Sequence, residues 1–509
     1  MNDSAPRYPL GEQNFEKIRL RGDIYVDKTH FIAKLTDDLN FCFLSRPRRF
    51  GKSLFISTLD AFFRGKRDLF EGLQIQSYPW DWKEYPVIHI DLSNGSYSKD
   101  FGLEERLNEI LDIKEKDYGV KVTGRTPRAR FNRLILELRE KFSSEVVILI
   151  DEYEKPLLDA MGKDYFETFR SELHDFYSVL KDNQDSIRFL FITGVTRFGH
   201  LNIFSGLNNL TDISLQPEFS SICGITHDEL LHNFKSGIIK FSDENGLNYD
   251  EAVAELKRYY DGYHFSRDMT DIYNPYSLLN CLRFSNLNND WMLSGSSYFL
   301  IEQLKESRFD LMSLDGIKTT ATTLAGIDAS MSDTVTLLYQ SGYLTIKDYD
   351  SRRQVYTLGL PNYEVSTALY DAVIPFYLGK KHRLDRNKIY DFIDDLYAGR
   401  AESAMRWLQS FFSSIPYDVK LDYESEFQEV VYCFFALVGL LSNTTLEKQT
   451  SNGRIDMLLE TPGYIYIFEF KRGDNAKGAI AQIHDRKYES PWQSDGRKII
   501  KIGVSFSKF

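Results

Sequence analysis

The chain has few cysteines and no long apolar run, and both features limit the classes of protein to which it can belong. Its 4 cysteines are scattered through 509 residues without the spacing of metal ligands or of a disulfide framework. The 9 histidines form no metal-ligand pair either, and His264, set among aromatic residues, is either structural or a ligand. The longest apolar run, Val430 to Leu441, is too short to cross a bilayer, and residues 1–7 lack the apolar core of a signal peptide. We therefore expect a cytoplasmic protein that does not bind membranes.

Acidic residues outnumber basic residues over the whole chain, with 74 Asp or Glu and 62 Lys or Arg. The net charge of −12 argues against a protein that is uniformly coated by nucleic acid. From Lys471 to the end, however, there are nine Lys or Arg and only four Asp or Glu. This local excess indicates either phosphate contacts or a solvated basic surface. The length exceeds what one hydrophobic core organises, so two or three domains are expected.

Two carboxylates and a lysine lie close together near the C-terminal end. Asp456 opens a short strand, 461–463 supply a turn, and the aromatic, β-branched run 464–468 predicts a buried strand that leads to Glu469 and Lys471. A hairpin would bring Glu469 beside Asp456, with Lys471 on the same face as Glu469. Such oxygen ligands suit Mg2+ or Mn2+, and the lysine can orient a water or stabilise the transition state. The alternative is a solvated cross-strand ion pair.

These residues resemble the PD-(D/E)XK nucleases, whose core is a hairpin that carries Asp and Glu-x-Lys between helices. The segment Ala476 to Tyr488 is similar to the helix that follows the catalytic strand in that superfamily. The resemblance places Gln482 of this helix toward the site. It implies four catalytic residues, of which the first two are also metal ligands: Asp456, Glu469, Lys471 and Gln482.

A further helix is predicted before the hairpin, because apolar side chains recur at helical spacing from Tyr423 to Leu441. Its Glu424 has two interpretations. It either completes the metal environment, as a helix glutamate often does in such nucleases, or only complements the helix dipole.

A phosphate-binding loop is predicted at residues 45–53, between a strand at 41–44 and a helix. Arg46 stands where the usual pattern has its first glycine. The loop keeps the last three positions of that pattern: Gly51, Lys52 and Ser53. Backbone amides, the lysine ammonium and the serine hydroxyl can then hold phosphates and Mg2+. Three arginines would add positive charge at the anion, although a solvated basic patch is the alternative: Arg46, Arg48 and Arg49.

A second nucleotide-binding feature is the run 145–152, which is apolar without alternation and ends in two carboxylates. This pattern is typical of a parallel strand that is buried on both faces. It is also a Walker B pattern. Asp151 would support the Mg2+ shell, and Glu152 would polarise the attacking water.

The next predicted strand, 187–197, has a polar tip. Thr193 or Thr196 could contact the γ-phosphate there, and Arg197 could stabilise it electrostatically. A strand at 87–92 fits the same sheet, and helical stretches alternate with these strands. The alternation predicts a doubly wound α/β domain with ligands at the carboxyl ends of its strands.

The order of these pieces resembles the bacterial AAA-ATPase-like proteins that carry a C-terminal PD-(D/E)XK nuclease domain. The motifs that carry the resemblance span most of the chain: Tyr25–Thr29, Ser45–Ser53, Ile150–Tyr153, Tyr260–Phe265 and Tyr273–Pro275. An arginine-rich loop is usual in that family. The resemblance therefore implies ATP binding more firmly than rapid turnover.

The expected architecture has four parts. A P-loop ATPase domain with a doubly wound parallel sheet occupies 1–225, and a helical, winged-helix-like lid occupies 226–378. A linker at 379–388 leads to an α/β nuclease-like domain of the restriction-endonuclease type at 389–509.

The expected function is ATP binding, with hydrolysis, coupled to a Mg2+-dependent nuclease that cleaves phosphodiester bonds. DNA is favoured over RNA as the substrate, and nucleotide state or homo-oligomeric assembly would control access to the site. A role in defence against foreign DNA follows only by analogy with the family. The alternative is an NTP-dependent regulatory or scaffold protein whose nuclease-like domain binds without cutting.

Overall fold

The chain divides into two compact units, which are described separately below. Residues 1–294 and 314–364 form the first unit, and residues 295–313 and 365–509 form the second. The structure, a computed structural model, describes residues 7–95, 97–99, 102–197, 203–204, 207–289, 304, 307, 309, 311, 314–326, 334–378, 386–413, 424–442, 448–450, 453–472 and 476–506. Among these residues, every helix is too short or too polar to traverse a lipid bilayer.

A parallel sheet organises the first unit. Its strands are β1 (Phe41–Ser45), β2 (Val87–Asp91), β3 (Val146–Asp151), β4 (Ile187–Gly194) and β5 (Thr211–Asp212). They lie in the order β2-β3-β4-β1-β5, and every adjacent pair is parallel. All six residues of β3 are buried, as its unbroken apolar sequence predicts. The predicted doubly wound α/β fold is therefore confirmed, and the carboxyl ends of β1, β3 and β4 share one edge.

Helices accompany this sheet where the sequence alternates between strand and helix patterns. They are α1 (Phe15–Arg21), α2 (His30–Asp38), α3 (Lys52–Phe63), α4 (Leu103–Tyr118), α5 (Pro127–Phe142), α6 (Lys155–Ala160) and α7 (Phe166–Asp182). α5 shows how local signals set the bounds. The Thr126 hydroxyl accepts a hydrogen bond from the Ala129 amide, Pro127 occupies the first turn, and Ser143 ends the helix in a left-handed conformation.

A helical region follows in the same unit. It contains β6 (Ile225–Thr226), α8 (His227–Asn233), α9 (Lys235–Asn245), α10 (Tyr249–Tyr260), β7 (Ile272–Tyr273) and α11 (Pro275–Phe284). Reciprocal side-chain and backbone hydrogen bonds cap α8 through Thr226 and Glu229, and they cap α10 through Asn248 and Glu251. The apolar faces of these helices meet in one core, which includes Phe241.

The first unit ends in a winged-helix arrangement. Its elements are β8 (Ile317–Thr320), α12 (Ala321–Ala325), α13 (Thr334–Gln340), β9 (Thr345–Asp350) and β10 (Val355–Gly359). The three strands are antiparallel in the order β8-β10-β9. β9 and β10 form an antiparallel hairpin. β8 was not predicted, because its four residues are short of apolar side chains and lack a clear alternation.

The second unit holds the C-terminal hairpin. Its elements are α14 (Tyr363–Leu378), α15 (Arg386–Tyr397), α16 (Ala401–Ser413), α17 (Glu424–Ser442), β11 (Lys448–Thr450), β12 (Gly453–Ile455), β13 (Met457–Glu460), β14 (Tyr464–Arg472), α18 (Ala476–Asp485) and β15 (Lys498–Phe506). The first two residues of α14 belong to the first unit. β13 is antiparallel to β14, which is parallel to β15. Most of the predicted linker, 379–385, lies outside the described residues.

Candidate active sites

The predicted phosphate loop joins β1 to α3. Gly51, which caps α3, has φ of 95°, a left-handed value that glycine adopts without strain. Lys52 is only 5% exposed, and its ammonium donates to the carbonyls of Arg46 at 3.0 Å and Pro47 at 3.2 Å. Ser53 is the second residue of α3. The loop thus folds around its own lysine, with the serine hydroxyl one residue further along.

Arg46 does not add its charge at the anion, which corrects the sequence expectation for this residue. The side chain is 2% exposed. Its guanidinium donates to the carbonyls of Ser214 at 2.8 Å and Phe219 at 3.0 Å, and it lies 4.3 Å from the centre of the Phe265 ring. Burial lowers the pKa of Arg46 to about 10, so it stays charged at neutral pH. The side chain turns inward because the interior offers it several carbonyl acceptors and a ring face.

The other two arginines of the loop have different surroundings. The Arg49 guanidinium lies 3.8 Å from the centre of the Tyr276 ring, in the first turn of α11. Burial raises the pKa of Glu152, and the nearby positive charges of Lys52 and Arg48 oppose that rise. Lys52 and Arg48 therefore both stabilise the charged form of Glu152.

Those carboxylates lie at the end of β3. Asp151 is 3% exposed, and its Oδ1 accepts from the Thr193 hydroxyl at 2.6 Å and from the Glu152 amide at 3.0 Å. Asp91, at the end of β2, lies directly beside Asp151 in the strand register. Glu152 has φ of 49°, a left-handed value that is uncommon for a residue other than glycine. Strained backbone of this kind is often retained at functional sites.

A third carboxylate, Glu154, was missed in the sequence. Its Oε1 accepts hydrogen bonds from the amides of Val195 and Thr196, just beyond β4. Burial raises the pKa of Glu154 to about 7. A β-carbon on Gly194 would lie 2.2 Å from Glu154 Oε2, so only glycine fits there. Glu154 thus ties the turn after β3 to the end of β4. The sequence signal was only an acidic residue two positions beyond the Walker B pair.

The polar residues at the tip of β4 contact other residues of the first unit. The Thr193 side chain is fully buried and donates to Asp151, so it orients that carboxylate. Arg197 pairs through its guanidinium with Asp212 of β5. Its amide donates to the Gln340 side chain of α13 at 3.2 Å. Within the described residues, Arg197 therefore connects β4, β5 and the winged-helix arrangement.

His264 lies in the helical region, within the sequence motif Tyr260–Phe265. His264 has both ring nitrogens in hydrogen-bonding range of partners, the Ile346 carbonyl at 2.7 Å and Asp271 at 2.8 Å. This occupancy supports the structural interpretation of His264.

In the second unit, the hairpin brings the predicted carboxylates together. Asp456 lies just before β13, and its Oδ2 accepts from the Phe470 amide at 2.9 Å. Glu469, on β14, is 1% exposed, and its Oε1 accepts from the Lys471 ammonium at 3.0 Å and from the Gln482 amide. Gln482 comes from α18. The four residues that the sequence assigned to one site therefore lie together.

Electrostatics agree with this closeness. Burial raises the pKa of Glu469, the Lys471 hydrogen bond lowers it, and the charge of Asp456 raises it. Glu469 Oε2 is buried and has no hydrogen-bond partner within the part of the chain that the structure describes. An unpartnered buried oxygen is costly unless a cation or a proton occupies the space beside it. Two neighbouring carboxylates with one free oxygen fit a divalent cation that keeps water ligands.

A third protein ligand is not seen. Among the residues that the structure describes, no group of three or more His, Cys, Asp or Glu side chains could hold a metal ion. The side chain of Glu424, at the start of α17, lies outside those residues.

Comparisons with known proteins match both sites. A family described as predicted AAA-ATPase matches residues 9–204, and the PD-(D/E)XK nuclease superfamily matches residues 422–508. An uncharacterized protein in the vnfD 5′ region of Azotobacter chroococcum mcd 1 is 35% identical, covering 99% of this chain and 97% of that protein. The ORC2 protein of Aeropyrum pernix, solved as ADPNP-ADP complexes, aligns with 12% identity over 74% of this chain and 98% of that chain. Its TM-score of 0.29 is too low to carry an argument.

Proposed function

The chain belongs to the AAA-ATPase-like proteins that carry a PD-(D/E)XK nuclease superfamily domain, and from this premise we propose an ATP-hydrolysing protein coupled to a Mg2+-dependent nuclease. The observation that carries the nuclease half is the environment of the buried Glu469 carboxylate. One of its oxygens has no partner among the described residues, and Asp456, Lys471 and Gln482 lie near it. A solvated ion pair would have no reason to bury that oxygen.

In the proposed ATP site, the loop and the two strand ends have separate roles. Backbone amides from Gly51 onward and the Lys52 ammonium would bind the phosphates, and Ser53 and Asp151 would hold Mg2+. Lys52 must leave the two loop carbonyls that now accept its hydrogen bonds. Glu152 would take up the proton of the attacking water, which its raised pKa favours.

In the proposed nuclease site, Asp456 and Glu469 would hold Mg2+ or Mn2+. Such a cation supplies Lewis-acid polarisation of a phosphoryl oxygen and a more acidic bound water. Lys471 would neutralise charge that develops on the phosphate, because its ammonium already lies beside Glu469. Gln482 would fix the carboxylate of Glu469 through its amide.

We assign the two activities to the domains expected from the sequence, with the ATPase at 1–225, the lid at 226–378 and the nuclease at 389–509. Nucleic acid, with DNA favoured over RNA, would be the substrate. Nucleotide state or homo-oligomeric assembly would control access, in the cytoplasm and in defence against foreign DNA.

Cleavage assays test the nuclease half. Single- and double-stranded DNA and RNA are incubated with Mg2+ or Mn2+, with and without ATP. Cleavage should disappear in Asp456→Ala and Glu469→Ala. It should persist in Asp485→Ala, which removes an exposed carboxylate of α18. If no substrate is cut under any condition, the nuclease proposal fails.

Nucleotide titration tests the ATPase half. Lys52→Ala should abolish ATP binding, because it removes the ammonium that the loop surrounds. Lys163→Ala removes an exposed lysine of the same unit and should leave the affinity unchanged. Binding that survives Lys52→Ala would refute the phosphate-loop assignment.

A second candidate is a regulatory or scaffold protein whose nuclease-like domain binds nucleic acid without cutting. The observation that favours it is the pair of carboxylates without a third protein ligand among the described residues. This candidate predicts nucleic-acid retention without cleavage, in the same assays.

A further inference from the structure

Bulky side chains of the phosphate loop contact the helical region, and one of them, Arg46, stands where the usual pattern has its first glycine. Three loop residues are involved: Arg46, Arg49 and Phe50. We propose that they are positioning residues, which fix the loop against residues 263–276 so that a nucleotide bound to the loop is sensed by that segment. The sensing part of this proposal rests on the proposed ATP site.

Phe50 is the central contact. It is 1% exposed, and its ring meets Tyr263 at a centroid distance of 4.8 Å and 79° and Phe265 at 5.3 Å and 90°. Edge-to-face pairs of this geometry are favourable beyond the area that they bury. The Phe50 carbonyl also accepts from the Gly224 amide at 2.9 Å, immediately before β6. Ring and backbone therefore both tie the loop to the start of the helical region.

Arg46 and Phe50 share one ring. The Arg46 guanidinium lies 4.3 Å from the centre of Phe265, and the same ring receives the edge contact of Phe50. The Arg46 carbonyl in turn accepts from the Lys52 ammonium. Phe265 is thus connected through Arg46 to the Lys52 ammonium, the group that would bind phosphate.

Arg49 makes a separate contact. Its guanidinium lies 3.8 Å from the Tyr276 ring centre, in the first turn of α11, and its φ of 67° is a left-handed value. A cation above a ring is worth roughly 0.5–2 kcal/mol, or about 3- to 30-fold in an equilibrium constant. Movement of α11 would therefore be transmitted to the loop through the contact between Arg49 and Tyr276.

Hydrogen exchange of the nucleotide-free protein tests the contact itself. Phe265→Leu should speed exchange of the amides of residues 46–53 several-fold. Phe284→Leu is the matched control, because Phe284 lies on α11 but is 64% exposed; it should leave those amides at the wild-type rate. Loop amides that exchange at the wild-type rate in Phe265→Leu would overturn the proposal.

A second measurement tests the sensing. A non-hydrolysable ATP analogue with Mg2+ should slow amide exchange in residues 263–276 of the wild type. Tyr276→Leu should lose most of that protection and bind the analogue about 3- to 30-fold more weakly, whereas Tyr276→Phe keeps the ring and should restore both. Equal protection in Tyr276→Leu and the wild type would overturn the sensing. If the wild type binds no nucleotide, the proposed ATP site and the sensing fail together, and the exchange of the loop still decides the contact.

Discussion

Glu154 offers a test of the electrostatics at the ends of β3 and β4 that does not depend on activity. Its carboxylate is buried and accepts hydrogen bonds from two backbone amides through one oxygen, and the other oxygen has no partner among the described residues. Burial raises its pKa from the ordinary value of 4.5 to about 7. Glu154→Gln keeps an acceptor for the two amides and removes the titration.

The direction of the effect follows from proton binding. Glu154 holds its proton more tightly in the folded protein than in the unfolded chain. Its favourable contribution is therefore complete below about pH 4.5 and is lost as the pH rises through about 7. A displacement of this size corresponds to roughly 3 kcal/mol. Glutamine adds an amide group that finds no acceptor, which costs about 1–3 kcal/mol at every pH and so does not change the slope.

The assay is thermal unfolding of wild type and Glu154→Gln between pH 5 and pH 8. The melting temperature of the variant relative to the wild type should rise with pH, by about 4 °C in total for a cooperative unit of several hundred residues. Glu140→Gln, an exposed carboxylate on α5, is the control and should give a flat difference. A flat difference for Glu154→Gln as well would refute the claim that burial keeps this carboxyl protonated near neutral pH.

Two further predictions concern the residues that orient the proposed catalytic carboxylates. Thr193→Val removes the hydroxyl that donates to Asp151 and should weaken Mg2+-dependent ATP binding about tenfold, while titration without Mg2+ should show little change. Gln482→Leu removes the amide that donates to Glu469 and further raises its pKa, so the acid limb of the pH–rate profile for cleavage should move to higher pH. An unshifted limb would show that Gln482 does not support the carboxylate.

Local signals were enough to predict four of the five strands of the parallel sheet and the hairpin that brings Asp456 close to Glu469. The unbroken apolar run that forms β3 and the hairpin turn before β14 each encode their structure within about ten residues. Asp456 and Glu469 meet because one turn joins their strands, and side-chain alternation fixes the face that Lys471 shares with Glu469. The positions of these three residues in the candidate nuclease site could therefore be predicted from short-range geometry.

The surroundings of Arg46 and Glu154 could not be predicted in this way. The partners of Arg46 include Ser214 and Phe265, which lie far along the chain, and Glu154 bonds to residues about forty positions away. Nothing in a single sequence marks a carbonyl as the acceptor of a distant guanidinium. Arg46 was placed at the anion because a basic residue in a phosphate loop usually lies there, whereas the interior supplied better partners for this side chain.

The two sites differ in how their negative charge is balanced, and this difference bears on how they depend on a cation. In the first unit, Lys52 and Arg48 both oppose the raised pKa of Glu152. In the second, Glu469 has Lys471 as its cationic partner and a neutral amide from Gln482. A proton or a divalent cation must then supply the rest of the balance at Glu469, and the two exclude each other at the same oxygen. Metal binding at the proposed nuclease site should therefore compete with protonation of Glu469.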